Sequence, residues 1–260
     1  MRTFVLFIAL GISTPALAFE GEIDAKGVAD AGSGLAAMKI LVSKSGDVSM
    51  EITARDAHGA PQKIGYLNPA KGKYNYMLEH SKKTAIKMPK EMYDKMTKSS
   101  EVNKAVENPN VEIKKLGTAK IAGHTTRHIQ IIDKDTGGVS DMWLSDKYSA
   151  QLWSRVFAFG SKGSTDQMKH WNKAAKKIGF KPGFIMKMVH RDKDGTEGGI
   201  EVTKLMEKTV AKAQVSLPAD YEVKEMPMPT GEMGGTPIKV PTTREEAEKM
   251  RDEWMKQMER

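Results

Sequence analysis

Apolar and polar positions alternate strictly along much of this chain. "VSMEITAR" places Val48, Met50 and Ile52 on one face and Ser49, Glu51 and Thr53 on the other, the period of a strand with one wetted side. The preceding run offers Met38, Ile40 and Val42 as its inward set, and "KSGDV" between the two supplies a Gly-containing hairpin turn. Further on, Tyr74, Tyr76 and Leu78 alternate with Asn75, Met77 and Glu79, and Thr84, Ile86 and Met88 alternate with Lys83, Ala85 and Lys87. "FKPGFIMKMVHRDKDG" repeats the pattern, with Phe184, Met186, Met188 and His190 on one side. Antiparallel strands wetted on one face are the prediction.

Helical spacing is confined to three places. Pro89 can open a short helix through Met92, Tyr93 and Met96. "STDQMKHWNKAAKKIG" has capping residues at Ser164, Thr165 and Asp166, a stop at Gly179, and an apolar stripe of Met168, Trp171, Ala175 and Ile178. A helix inserted between strands is a natural cover for one end of a sheet. The third follows a Pro/Gly-dense linker over residues 226–241. Thr243 and Glu246 fit a capping box, and Ala247, Met250, Trp254 and Met258 line up over residues 242–260. Five basic against six acidic residues from Arg244 to Arg260 leave that helix nearly neutral. It lacks the cationic face of a membrane-surface helix, so it is expected to dock on its own domain or on a partner protein.

Two histidines four residues apart in "GHTTRHIQI", His124 and His128, raise the question of a metal site. The flanking sequence alternates and ends in "DKDTGG", so the stretch reads as extended. In a strand, residues four apart lie about 13 Å from each other, too far to share one zinc ion. We therefore expect no metal and no cofactor here, with His124 as an exposed turn residue and His128 in the core or a pocket. Methionine raises a lesser alternative, because thioether sulfur suits Cu(I) and Met226 and Met228 sit in the linker. Catalytic motifs are missing: there is no nucleophile elbow, phosphate loop or His-Glu zinc motif. Asp133 with Asp135 and Asp192 with Asp194 sit beside glycines and read as hairpin turns. No catalytic residue is assigned.

The ends of the chain set its compartment. Met1 to Ala18 has a charge at Arg2, an apolar run from Phe4 to Ile12 and the small-residue site Ala16-Leu17-Ala18, the pattern of a secretory signal peptide cleaved after Ala18. That run is far short of the roughly 20 residues a membrane span needs. Without cysteine, neither disulfides nor lipidation through an N-terminal cysteine is available. A periplasmic protein that does not span the membrane is the expectation. The formal charge is +8, and losing Arg2 lowers it by one. The lysines are spread among apolar residues, as in "KKTAIKMP", and no nucleic-acid reading module accompanies them, so nucleic acid is not the expected partner.

The succession of elements carries a resemblance. "FEGEI" from Phe19, "MKILVSKSGDVSMEI", the "GTAKIAGHTTRHIQI" strand pair, "SDMWLSDK", "GFIMKMV" and the closing "EVTKLMEKTVAKAQVSLPADYEVKEM" follow in order. Together they resemble the 4412-type family of secreted bacterial domains of unknown function, which is similar in fold to the periplasmic lipoprotein carriers LolA and LolB. The resemblance implies a mainly β, α+β domain over residues 19–225, an antiparallel sheet of about ten strands curled into an unclosed half-barrel with covering helices.

Alternation and the implied fold converge on a lining of Met50, Tyr74, Tyr76, Trp143, Phe184, Met186 and Met188, apolar and rich in adaptable methionine. The bland alternative is that these side chains simply fill the core. The expected function is non-enzymatic binding of an apolar or amphipathic molecule, such as a lipid, an acyl chain or a lipoprotein. An interaction or envelope-sensor module, using the concave face or residues 242–260 to hold a protein partner, is the alternative.

Overall fold

A computed structural model of the chain describes residues 19–28, 35–55, 59–91, 110–150, 152, 156, 179 and 181–226. Residues 1–18, expected to be a signal peptide, the stripe of the expected 164–179 helix, Met92, Tyr93 and Met96, and residues 227–260 lie outside the described residues. The chain divides into two units, residues 1–224 and 225–260, and only Glu225 and Met226 of the second are described.

The strands are β1 (Gly21–Val28), β2 (Leu35–Val42), β3 (Val48–Arg55), β4 (Pro61–Asn68), β5 (Tyr74–Glu79) and β6 (Thr84–Pro89). They continue with β7 (Val111–Ile121), β8 (His124–Asp133), β9 (Val139–Ser145), β10 (Phe184–Arg191), β11 (Glu197–Glu207) and β12 (Glu222–Glu225). All join one sheet in the order β12-β6-β5-β4-β3-β2-β1-β11-β10-β9-β8-β7. The row ends at two different strands, so the sheet does not close. The resemblance implies about ten strands; the described residues form twelve. Hairpin chemistry explains the connections: Ala122 and Gly123 both adopt positive φ, 48° and 79°, the two-residue turn that suits the strand twist.

Register decides what each face carries. Ile23 pairs with Ile40, Ile40 with Met50, Met50 with Tyr66, Tyr66 with Met77 and Met77 with Ile86, so one row crosses six strands on one side, the core face. The next row, Glu22, Leu41, Ser49, Leu67, Tyr76 and Lys87, lies on the opposite side, the back face. On the core face Phe19, Ile23, Ile40, Val42, Met50, Phe184, Met186, Val202 and Leu205 form one packed cluster with Tyr148, Leu152 and Val156. Ala150, Leu152 and Val156 are helical, and Tyr148, Leu152 and Val156, spaced four residues apart, all join this cluster. Sequence reasoning missed this element, although that spacing was its signal.

The segment after β11 runs along the back face. Val210 N donates to Glu20 Oε1 at 2.9 Å, the short 3-10 helix Lys212–Val215 lies against β2 and β3, and Leu217 and Tyr221 pack on Leu67, Leu78 and Ala85. Tyr221 Oη and His80 Nδ1 are 2.6 Å apart, and Glu222 N donates to Lys83 O at 2.9 Å before β12 joins β6. Gly65 makes room for this clasp, because a Cβ there would sit 2.8 Å from the His80 ring.

Candidate functional site

The seven expected lining residues divide between the two faces. Met50, Phe184 and Met186 are brought together in the core cluster at 3%, 0% and 0% exposure, and Met188 packs on its margin. Tyr74 and Tyr76 do not join them. They alternate with Met77, which shares the Met50 row, so they point to the back face, where Tyr76 meets Leu217 and Tyr221. In β5 the set facing the core row is Asn75 and Met77, with Asn75 fully enclosed, while Leu78 is buried on the opposite side with Tyr76.

Trp143 also lies opposite the core. It pairs with Lys187 on one side and His128 on the other, while the adjacent Met142 pairs with core-facing Met188. His128 stacks on the Trp143 ring at 4.1 Å and 11°, and Lys187 Nζ stands 5.2 Å from the other neighbour's side of the indole. Lys187 pairs with Glu201 at 3.0 Å, and His128 Nε2 with Asp141 Oδ1 at 2.9 Å. This cross-strand ladder absorbs Trp143 into a charged surface, away from any apolar lining.

The other histidines differ from expectation in instructive ways. His124 is half-buried, with Nε2 3.2 Å from Leu205 O and its ring edge-on to Tyr148 at 5.6 Å, so it closes one end of the core. Tyr148 is the centre of that closure. Phe19 and Phe184 meet its ring edge-on at 5.5 and 6.4 Å, and its hydroxyl donates to Glu207 Oε1 at 3.0 Å. Lys147 shares the same carboxylate at 2.9 Å, which holds the Glu207 pKa below the ordinary range. Burial raises the Tyr148 and Tyr66 hydroxyls above theirs.

The middle of the core face carries aliphatic, thioether and aromatic side chains, while its polar groups among the described residues include Tyr66, Asn68, Asn75, Glu79 and Thr84 and, towards one end, Ser140 and His190 in phase with Met142 and Met188, so its middle can hold apolar surface. One Ser-His-Asp chain does exist, at the far ends of two hairpins: Ser140 Oγ lies 2.8 Å from His190 Nδ1, and His190 Nε2 lies 3.0 Å from Asp192 Oδ1. His190 and Asp192 are 44% and 60% exposed, so water competes for both bonds, and the chain serves to fasten neighbouring turns. Asp133 and Asp194 accept backbone N–H bonds from Thr136 and Thr196, which lower both carboxyl pKa values and fix the turns. Among the described residues no group of three or more His, Asp or Glu side chains is arranged to hold a metal.

The strongest electrostatic feature is Glu22, only 3% exposed on the back face beneath the segment after β11. Lys204 Nζ donates to it at 2.8 Å, Lys208 Nζ donates to its other oxygen, and Lys39 stands 3.5 Å away. These hydrogen bonds outweigh the desolvation of the carboxylate and lower its pKa to about 2.

No curated protein sequence is significantly similar to this one. Solved structures with a related chain course include MucB, at 12% identity over 79% of this chain with a TM-score of 0.41. The Pseudomonas aeruginosa MucA/MucB complex gives 11%, 80% and 0.42. The chain spans 59% of the length of both. The Mycobacterium tuberculosis lipoprotein LppX gives 9% identity over 70% of this chain and 85% of its own, at 0.33. Among the described residues no helix is long and apolar enough to cross a membrane. From Phe19 through the Tyr221 clasp, the chain belongs to the family described as a domain of unknown function, DUF4412, whose model matches residues 19–221.

Proposed function

We propose that this protein binds an apolar or amphipathic molecule, such as a lipid, an acyl chain or the acyl part of a lipoprotein, on the core face of its open sheet, without chemistry and in the periplasm. The observation that carries the reading is the concentration of methionine on that face. Met38, Met50, Met186 and Met188 lie on or around one cluster, and flexible thioether side chains can repack around a guest where branched ones cannot. Leu152 and Val156 pack on the same cluster, and a guest entering there would displace them. Affinity would come from burying the guest's surface at about 25 cal/mol per Å². The sequence pattern of residues 1–18 supplies the export route, with cleavage after Ala18, and the resemblance to LolA and LolB supplies the kind of ligand.

Native mass spectrometry of the protein purified gently from its host's periplasm, followed by solvent extraction, tests this. A co-purifying lipid or acylated peptide near one-to-one supports it. A clean apo mass, with a fluorescent fatty acid also failing to bind, removes it. A second reading rests on the division of the chain at residue 225. A separate unit carrying the amphipathic 242–260 pattern fits an interaction module, and loss of a captured partner on deleting residues 231–260, with lipid binding intact, would favour it.

A further inference from the structure

The two ends of the strands are charged differently. At one end the β2–β3 turn carries Lys44 and the β4–β5 turn carries Lys71 and Lys73, all exposed and none with an ion-pair or hydrogen-bond partner for its ammonium group among the described residues. The turns are neighbours, because Val48 pairs with Asn68, and they are fastened together by Ala70 N donating to Asp47 Oδ1 at 2.7 Å. Asp47 is the one carboxylate in residues 43–49 and 68–74. Its other oxygen accepts from Ser45 Oγ at 2.6 Å, so its lone pairs are turned into the turns and the lysines face outward. Lys90 Nζ donates to Pro69 O beside them, and Tyr74, with Lys87 Nζ 4.0 Å above its ring, flanks the row with an amphipathic aromatic. At the opposite end, the β8–β9 and β10–β11 turns carry Asp133, Asp135, Asp192 and Asp194 against Lys134 and Lys193, and the lysines of the β5–β6 turn, Lys82 and Lys83, are paired with Glu79 and Asp220.

We propose that the Lys44–Lys71–Lys73 rim is a docking surface for an anionic lipid bilayer, which it meets end-on with the aspartate turns pointing away. A bilayer of acidic headgroups is the partner this geometry fits. The cations lie on two turns held together at one end of the sheet, so they can meet a flat sheet of phosphates at once, and the aspartate turns at the far end favour that orientation. Tyrosine beside lysine is also the pairing that sits well at the headgroup level. The proposal does not depend on the core face taking a ligand.

Vesicle co-sedimentation of the exported full-length chain at low ionic strength tests it. Phosphatidylcholine vesicles containing phosphatidylglycerol should bind the protein, and pure phosphatidylcholine should not. The triple variant Lys44→Glu, Lys71→Glu, Lys73→Glu should lose binding on the order of a hundredfold, because each lysine near an anionic surface contributes about a factor of five. A control triple with the same change in net charge, Lys63→Glu, Lys115→Glu, Lys193→Glu, should lose far less; circular dichroism would check that both remain folded. Equal losses in the two triples would reduce the effect to net charge and overturn the proposal, as would absence of wild-type binding to the acidic vesicles.

Discussion

The two faces of the sheet solve burial in opposite ways. The core face is apolar through its middle, a row from Ile23 to Ile86 packed with Phe19, Tyr148, Leu152 and Val156. The back face adds paired charges to its smaller apolar cluster: Glu22 under three lysines, Lys187 against Glu201, and Trp143 between His128 and Lys187. The apolar face derives its strength from packing, which is insensitive to pH and salt. The charged face derives its specificity from partners that must all be present, so a single change of charge state or partner is felt. That difference separates a surface able to yield to a greasy guest from one that fixes register.

The largest effect should come from the apolar side. Phe184 is fully enclosed and touches the Tyr148 ring, so Phe184→Ala should cost about 3–5 kcal/mol through lost transfer energy and a cavity. Tyr74→Ala on the back face should cost about 1 kcal/mol or less. Chemical denaturation of both variants reads the contrast directly. A Phe184→Ala loss no greater than that of Tyr74→Ala would mean the core face is not the packed side.

Glu22 comes next. Glu22→Gln keeps the shape but leaves Lys204 and Lys208 without their acceptor charge, at a cost of about 1–3 kcal/mol, softened because those lysines can turn partly to water. The same group gives a pH signature. Its folded pKa of about 2 lies below its ordinary value of 4.5, so its stabilising contribution is complete above about pH 4.5 and is lost as the pH falls from there towards 2. Wild type and Glu22→Gln should therefore differ most at neutral pH and converge on acidification. A gap that stays constant from pH 6 to about 2.5 would show that Glu22 is not held as the structure shows.

The clasp at the sheet edge should be smaller again. Tyr221→Phe removes the hydrogen bond to His80 and leaves the ring packing on Leu67 and Leu78, so about 1 kcal/mol is expected. Hydrogen exchange should quicken at Glu222, whose N–H bonds Lys83 O, before it changes in the central strands. Uniform quickening across the sheet would make the clasp part of the global fold instead of a local lock.

How much of this was legible in the sequence depended on periodicity. Alternation identified β2, β3, β6 and β10, and the sets through Ile40, Met50, Ile86 and Met188 lie on the core face. It failed in β5, where both sets are partly apolar: Tyr74, Tyr76 and Leu78 compete with Asn75 and Met77, and only the register through Met50 and Tyr66 decides. Trp143 failed for a related reason. Its strand puts Met142 and Leu144 on one side and Trp143 on the other, and the alternation alone did not say which side faces the core, whereas His128 and Lys187 on the neighbouring strands complete a polar ladder around it. Cross-strand partners far apart in sequence leave no local trace, which is also why the lysines gathered over Glu22 and the turns joined by Asp47 could not be read in advance.

The smallest prediction separates the faces by function. Lys187 and Glu201 are each 24% exposed, and the lysine also rests beside the Trp143 ring, so Lys187→Ala should cost about 0.5–1 kcal/mol. Raising the salt should shrink that cost, since part of it is coulombic and close to water, whereas the Phe184→Ala cost should hold. Trp143→Ala should behave as a stability change alone. If the apolar ligand occupies the core face, a fluorescent fatty acid should bind Trp143→Ala and wild type equally, because the indole points away from Met142 and Met188. Binding that disappears with Trp143 while surviving Met186→Ala would move the site to the back face and make the ladder, not the methionine cluster, the surface that meets the ligand.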